Sequence, residues 1–295
     1  MAEPNWRAAC KTTESPERFI DPATGLRFYP IPIEGESGFA CVPGVTSILG
    51  CTATQEDKER LERWRAKEIA AGRDPNAARE RGTRVHAGLE DWVRGLTPDF
   101  KVQSDLDCFT GMTRHLERYD SFLWNERPLV PGWERCWNTD DKSDPCRLAR
   151  VWSNRWGYSG TPDFIGVTKQ NRQTVLGDFK TSNQPYFRCS GTLVPMHRKT
   201  GFLKYKKTVR QLCAYKMAVE EMFPHIHIDG LQIVVGLPKS GESQQFWISE
   251  AEIARETETF KQTCRHFWTD YLPRLRGQDT KAASGSGSMA ASAAT

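Results

Sequence analysis

The chain has 295 residues, 38% hydrophobic and 26% charged, enough to bury one sizeable core and without an apolar run near the roughly 18 residues a membrane helix needs. Lysine and arginine number 41 against 37 aspartates and glutamates, and a formal charge of +4 by itself identifies no polyanionic partner. Nine cysteines (Cys10, Cys41, Cys51, Cys108, Cys136, Cys146, Cys189, Cys213 and Cys264) without C-x-x-C spacing argue against a zinc ribbon or a disulfide framework.

Residues 1–25 read as a polar leader; Glu3, Glu14 and Glu17 and the lack of an apolar stretch speak against a targeting signal, which suggests a cytoplasmic protein away from membranes. A single domain is expected over 26–275. Leu26 to Tyr29 and Phe39 to Val42 look like short strands, followed by the apolar run Val45 to Leu49. Helical spacing then predicts amphipathic helices over Gln55 to Ala71, with Leu61, Trp64 and Ile69, and over Ala77 to Val93, with Val85, Leu89 and Trp92. Leu106, Phe109, Met112, Leu116, Tyr119 and Phe122 predict one long helix from Val102 to Trp124, ended by Pro128 and Pro131, so that 55–126 is the helical part.

The part from about 133 to 249 reads as sheet: strands Trp133 to Trp137, Leu148 to Trp152, Thr161 to Val167 and Thr174 to Thr181, the last two short enough in connection to form an antiparallel hairpin. Ser182 to Gly201 looks irregular, Leu203 to Phe223 helical, and Leu231 to Gly236 pairs with Gln245 to Ile248. Ser249 and Glu252 predict a capping box for a last helix over 250–275, and 276–295 is an Ala/Gly/Ser tail expected to be disordered.

The chemistry concentrates in Gly160-Thr161-Pro162-Asp163 and Gly177-Asp178-Phe179-Lys180. Asp178 and Lys180, two apart on a strand, share a face, and Asp163 begins the neighbouring strand, so two carboxylates and an ammonium can converge. Phosphodiester hydrolysis needs such a set: carboxylates for a hard cation such as Mg²⁺ and a lysine to position or deprotonate water. A lone D-x-K is more often a solvated strand face, but the apolar flanks of Asp178 suggest burial, which needs a metal or cation partner. His86 and Glu90, and Gln211 and Tyr215, are i,i+4 pairs on two helices; each alone is an ordinary helix residue. His197, Arg198, Lys199, Lys204, Lys206, Lys207, Arg210 and Lys216 form a stretch without acidic residues.

In order and approximate spacing, RGTRVH with Glu90, GTPD, GDFK and QLCAY resemble the RecB-like branch of the PD-(D/E)XK nucleases, over about Val45 to Tyr215. The Val45-Thr46-Ser47-Ile48-Leu49 run and the helix with Trp64 look most like the mitochondrial genome maintenance exonuclease group and its phage relatives. The resemblance implies an α/β fold with a restriction-endonuclease-like core, a mixed sheet flanked by helices, and an N-terminal helical region. It implies Mg²⁺ or Mn²⁺ held by His86, Asp163, Asp178 and the Phe179 carbonyl, with Glu90 nearby, and no iron–sulfur cluster. Lys180 would be the catalytic lysine, supported by Gln211 and Tyr215. DNA would be gripped by Arg81, Thr181, Ser182, Arg198, Lys199, Lys204, Lys207 and Arg210, with Tyr186 and Phe187 stacking on bases.

The expected activity is a metal-dependent exonuclease on single-stranded DNA ends in phage replication, recombination or repair, working beside replication or recombination proteins. The alternatives are a structure-selective or iron–sulfur processing endonuclease and a nucleic-acid-binding module without hydrolysis.

Overall fold

Asp21 and Trp6 lie within the stretch that reads as a leader, yet both are buried. The computed structural model of the chain describes residues 2–13, 18–33, 38–125, 129, 150–189 and 194–277. Its first helix, α1 (Trp6–Ala9), is followed by a small antiparallel sheet of β1 (Lys11–Thr13), β2 (Phe19–Ile20), β3 (Arg27–Pro32) and β4 (Phe39–Pro43), in the order β1-β4-β3-β2. The Trp6 indole N–H donates to the Asn154 carbonyl at 2.7 Å and its ring lies 6.1 Å from that of Trp268, which ties α1 to residues far along the chain. Asp21 accepts from Lys11 at 3.0 Å. The apolar run that follows becomes α2 (Val45–Gly50).

Helices α3 (Gln55–Ala70) and α4 (Ala77–Val93) stand where the periodicity puts them. Thr54 and Asp57 cap α3 reciprocally, each side chain accepting the other's backbone N–H at 3.1 Å. Leu61, Trp64 and Ile69, expected to pack inward, are instead exposed, and α3 buries none of its residues. Its cap and ion pairs such as Arg60 to Asp57 and Arg65 to Glu62 support it locally.

The expected helix from Val102 to Trp124 is two elements, α5 (Gln103–Leu116) and β5 (Tyr119–Asn125). β5 has register shifts between Tyr119 and Ser121 and between Phe122 and Trp124. Each shift adds a residue to the ordinary two-residue alternation, and the resulting spacing of Tyr119 and Phe122 imitates a helix. Within α5 the buried stripe is Asp105, Cys108, Met112 and Leu116, while Leu106 points outward.

Strands β6 (Val151–Ser153) and β7 (Tyr158–Gly160) pair with each other; β8 (Phe164–Thr168) and β9 (Thr174–Thr181) form the expected antiparallel hairpin. After α6 (Lys199–Met222), which begins four residues before its expected start, come β10 (Gly230–Leu237), β11 (Glu242–Ile248) and α7 (Glu250–His266), continued by a π turn over Phe267–Tyr271. The main sheet runs β11-β10-β9-β8-β5, with β9 and β10 parallel and the other neighbours antiparallel. A parallel neighbour needs a crossover, and α6 lies in that connection.

Two hydrophobic layers close over this mixed sheet. Val175 and Phe179 pack with Val85 and Leu89 of α4 and with Cys108 and Met112 of α5. Leu176, Ile233 and Val235 pack with Val209, Leu212 and Val219 of α6 and Phe260 of α7. Alternation along β9 therefore sends Phe179 toward α4 and puts Asp178 on the side of α6. Ser249 is the N-cap of α7, but its side chain makes no cap hydrogen bond. Glu252, the other half of the expected box, is drawn instead to Tyr205 Oη and Arg188, both at 3.1 Å.

The expected strand Trp133 to Trp137, Pro128, Pro131, Cys136, Cys146 and the tail beyond 277 lie outside the described residues. No helix among the described residues is long and apolar enough to cross a membrane.

Candidate active site

Pairing of β8 with β9 stops at Phe164 and Gly177, just short of Asp163 and Asp178. Pro162 precedes this fork and its carbonyl accepts the Trp124 indole N–H at 2.9 Å. The next ladder donor on β9, the Phe179 N–H, is taken by Asp163 Oδ2 at 2.6 Å. A side-chain carboxylate thus substitutes for a strand carbonyl and is brought beside Asp178.

Both motif glycines make room for rings. A Cβ on Gly177 would overlap Phe164, whose ring stacks on Phe179 at 4.8 Å. A Cβ on Gly160 would overlap the ring of Tyr215.

Asp178 is fully buried. Its Oδ2 pairs with Lys180 Nζ, and its Oδ1 is buried without a hydrogen-bond partner. Burial raises its pKa, an effect that Lys180 only partly offsets and the Asp163 charge reinforces. For Lys180 burial works the other way, but the Asp178 and Asp163 carboxylates outweigh it and hold the ammonium charged. Lys180 Nζ also donates to the Phe179 carbonyl at 3.1 Å.

His86 reaches this group from α4. Its Nε2 lies 3.0 Å from the Phe179 carbonyl oxygen and its Nδ1 3.8 Å from Asp163 Oδ2. A carbonyl only accepts, so this contact places the ring proton on Nε2; ligation through Nε2 would move the proton to Nδ1, on the side of Asp163. Glu90 pairs with Arg94 at 3.3 Å and, with Gly82, Thr83, His86 and Ala87, lines a cavity of about 450 Å³.

The residues fit a hard divalent cation on two counts. The unpartnered Asp178 Oδ1 is costly to bury unless something positive meets it. The Phe179 carbonyl oxygen and the His86 ring, in contact at 3.0 Å, would add an oxygen and a nitrogen of the kinds such an ion takes beside the carboxylates. Among the described residues no three His, Cys, Asp or Glu side chains are grouped to hold a metal by themselves, so the fit depends on the Phe179 carbonyl.

Gln211 Nε2 donates to Tyr215 Oη at 2.9 Å, and the Tyr215 ring rests on Gly160, three residues before Asp163. The expected DNA-gripping residues divide. Arg81 Nη1 donates to Asn183 Oδ1 at 2.9 Å, Thr181 ends β9 opposite Gly236, and Ser182 Oγ accepts from Lys204 Nζ at 3.0 Å. Arg198 lies 4.4 Å over the Phe187 ring, and Lys199 and Lys207 are exposed. Arg210, by contrast, is bound to the buried Glu256 at 2.8 Å, together with Lys206, and serves the α6–α7 packing. Tyr186 is buried and so is not placed to stack on a base.

Asp105 and Asn183 escaped the sequence reading. Asp105 falls in line with Cys108, Met112 and Leu116, and a carboxylate in an apolar stripe is the signal that marks it. Nothing in the local sequence marks Asn183, whose role depends on Arg81 arriving from 102 residues away. No protein-family model matches the chain, and no curated protein matches its sequence.

Proposed function

We propose that the chain is a divalent-metal-dependent deoxyribonuclease with a restriction-endonuclease-like core, an exonuclease acting on single-stranded ends. The observation that carries this reading is the convergence of Asp163, Asp178 and Lys180 at the β8–β9 fork, with Asp178 Oδ1 buried and unpartnered. A binding module has no need of such a pair.

Asp163, Asp178, the Phe179 carbonyl and His86 would hold Mg²⁺ or Mn²⁺, which supplies charge neutralisation at the phosphoryl oxygens and lowers the pKa of water. Lys180, faced by the two carboxylates, would orient the attacking water or meet a phosphoryl oxygen. Asp163 sets the spacing of the two strands through Phe179. Tyr215, wedged on Gly160 and bonded to Gln211, buttresses the strand that leads into Asp163. Arg198, Lys199, Lys204 and Lys207 on and before α6 offer the charge that a phosphate backbone requires.

The test is cleavage of end-labelled single- and double-stranded oligonucleotides with Mg²⁺, Mn²⁺ or EDTA. Lys180→Ala and Asp178→Ala should abolish metal-dependent cleavage while DNA binding stays measurable. Wild-type cleavage rates in either variant would sink the reading, and digestion of closed single-stranded circles would replace the exonuclease by an endonuclease.

A further inference from the structure

Beyond Lys180 the chain leaves β9 through Ser182, Asn183 and Gln184, and two cations from opposite sides of the sheet converge on this segment. Arg81 of α4 donates to Asn183 Oδ1 at 2.9 Å. Arginine offers only donors, so Asn183 must present its carbonyl to it, which turns the amide N–H groups the other way. Lys204 of α6 donates to Ser182 Oγ at 3.0 Å. That oxygen also accepts the Gln184 N–H at 3.3 Å, leaving the hydroxyl proton to donate elsewhere. The segment thus offers an array of donors and two positive charges, and no carboxylate of its own.

Arg81 is held from behind. Asp105 is buried on α5, accepts from Arg84 Nε at 2.6 Å and faces Arg81 Nε at 3.8 Å. Asp105 is shared between two guanidinium groups, with the closer contact to Arg84, so it does not by itself cancel the charge of Arg81. With Nε directed at Asp105, the other edge of the Arg81 guanidinium is aimed at Asn183.

We infer that Arg81, Asn183 and Lys204 form a subsite for a second backbone phosphate, neighbouring the one that is cleaved, and that Asp105 is the positioning residue for Arg81. The inference rests on the nuclease reading above. Ser182 and Asn183 follow Lys180 by two and three residues, about 7–10 Å along extended chain, within reach of a phosphate adjacent to one held at Lys180. The array is suited to a phosphate rather than to a base edge, because it consists of donors and positive charge.

The experiment uses the full chain and fluorescent single-stranded oligonucleotides in which one linkage at a time is an uncharged methylphosphonate. Binding is read by anisotropy in EDTA, and cleavage by steady-state kinetics in Mg²⁺. For the wild type, a neutral linkage next to the scissile one should weaken binding about tenfold. Asn183→Asp and Arg81→Gln should bind the all-phosphate strand about tenfold more weakly, with no further loss at that linkage. The cost should fall on KM more than on kcat, and Arg81→Gln should flatten the salt dependence of binding by about one unit of slope.

Asp105→Asn should reproduce the KM of Arg81→Gln and add nothing to it in the double variant, whereas a merely structural carboxylate would add its own effect. Asn183 is exposed, so Asn183→Asp keeps the test sound even where Asp105→Asn fails to fold. An Asn183→Asp protein with wild-type KM and an unaltered response to the neutral linkage overturns the subsite and leaves the nuclease reading standing. A wild-type protein that neither binds nor cleaves nucleic acid removes both.

Discussion

Asp163 Oδ2 accepts the backbone N–H of Phe179 at 2.6 Å, which ties the first carboxylate of the site to the strand carrying the second. Two separable losses follow from changing it. Asp163→Ala leaves a buried amide without its acceptor and should lower stability by about 1–3 kcal/mol. Asp163→Asn retains an acceptor oxygen and should lose less, while both variants lose metal-dependent cleavage. Urea unfolding beside a cleavage assay checks this; equal stabilities would mean that the bond contributes nothing.

Burial raises the Asp178 pKa, Lys180 offsets this only in part, and Asp163 adds to it. A raised folded-state pKa means that metal-free stability is fully present below the ordinary carboxylate value and falls as pH rises through the raised one. Protons also compete with a cation for this oxygen. The gain in Tm from saturating Mg²⁺ or Mn²⁺ should therefore grow as pH rises through that range and vanish in Asp178→Asn. Thermal melts across a pH series measure it, and a gain independent of pH would remove Asp178 from the metal shell.

Gly177 and Gly160 each face an aromatic ring at a separation no Cβ can occupy. Gly177→Ala should displace the Phe164 ring and cost about 1–3 kcal/mol through overpacking. Gly160→Ala should push Tyr215 away and lower kcat beyond any loss of stability, because Tyr215 buttresses the approach to Asp163. Denaturation curves with single-turnover cleavage separate the two, and a Gly160→Ala enzyme of normal kcat would argue against a supporting role for Tyr215.

Glu256 is buried, which acts to raise its pKa, but hydrogen bonds from Lys206 and Arg210 outweigh this and lower it. Its contribution to stability is present above the ordinary glutamate value and is lost as pH falls through the lowered one. Glu256→Gln should cost about 2 kcal/mol, less than the roughly 3–5 of a fully buried pair because Lys206 and Arg210 can turn to solvent. The variant should also unfold less steeply with acid than the wild type; parallel acid titrations followed by tryptophan fluorescence would expose an unchanged profile.

The β8–β9 hairpin with Asp163, Asp178 and Lys180, and the bounds of α4, were legible in the sequence, because hydrophobic alternation, a short polar connection and helical spacing act within a few residues. Those local rules failed wherever a distant partner made the choice. β5 became a strand because β8 was there to pair with it, and its register shifts disguise the alternation. Glu256 withdrew Arg210 and Lys206 from the basic stretch, and burial withdrew Tyr186 from solvent. Leu61, Trp64 and Ile69 have helical spacing but are exposed, with no surface among the described residues to cover them, since periodicity states only what a helix offers. The residue types that carry charge and the strand that aligns them were determined by the sequence alone. Which charges meet, and which are cancelled, was decided only by tertiary structure, because burial and electrostatic pairing depend on groups far apart in the chain.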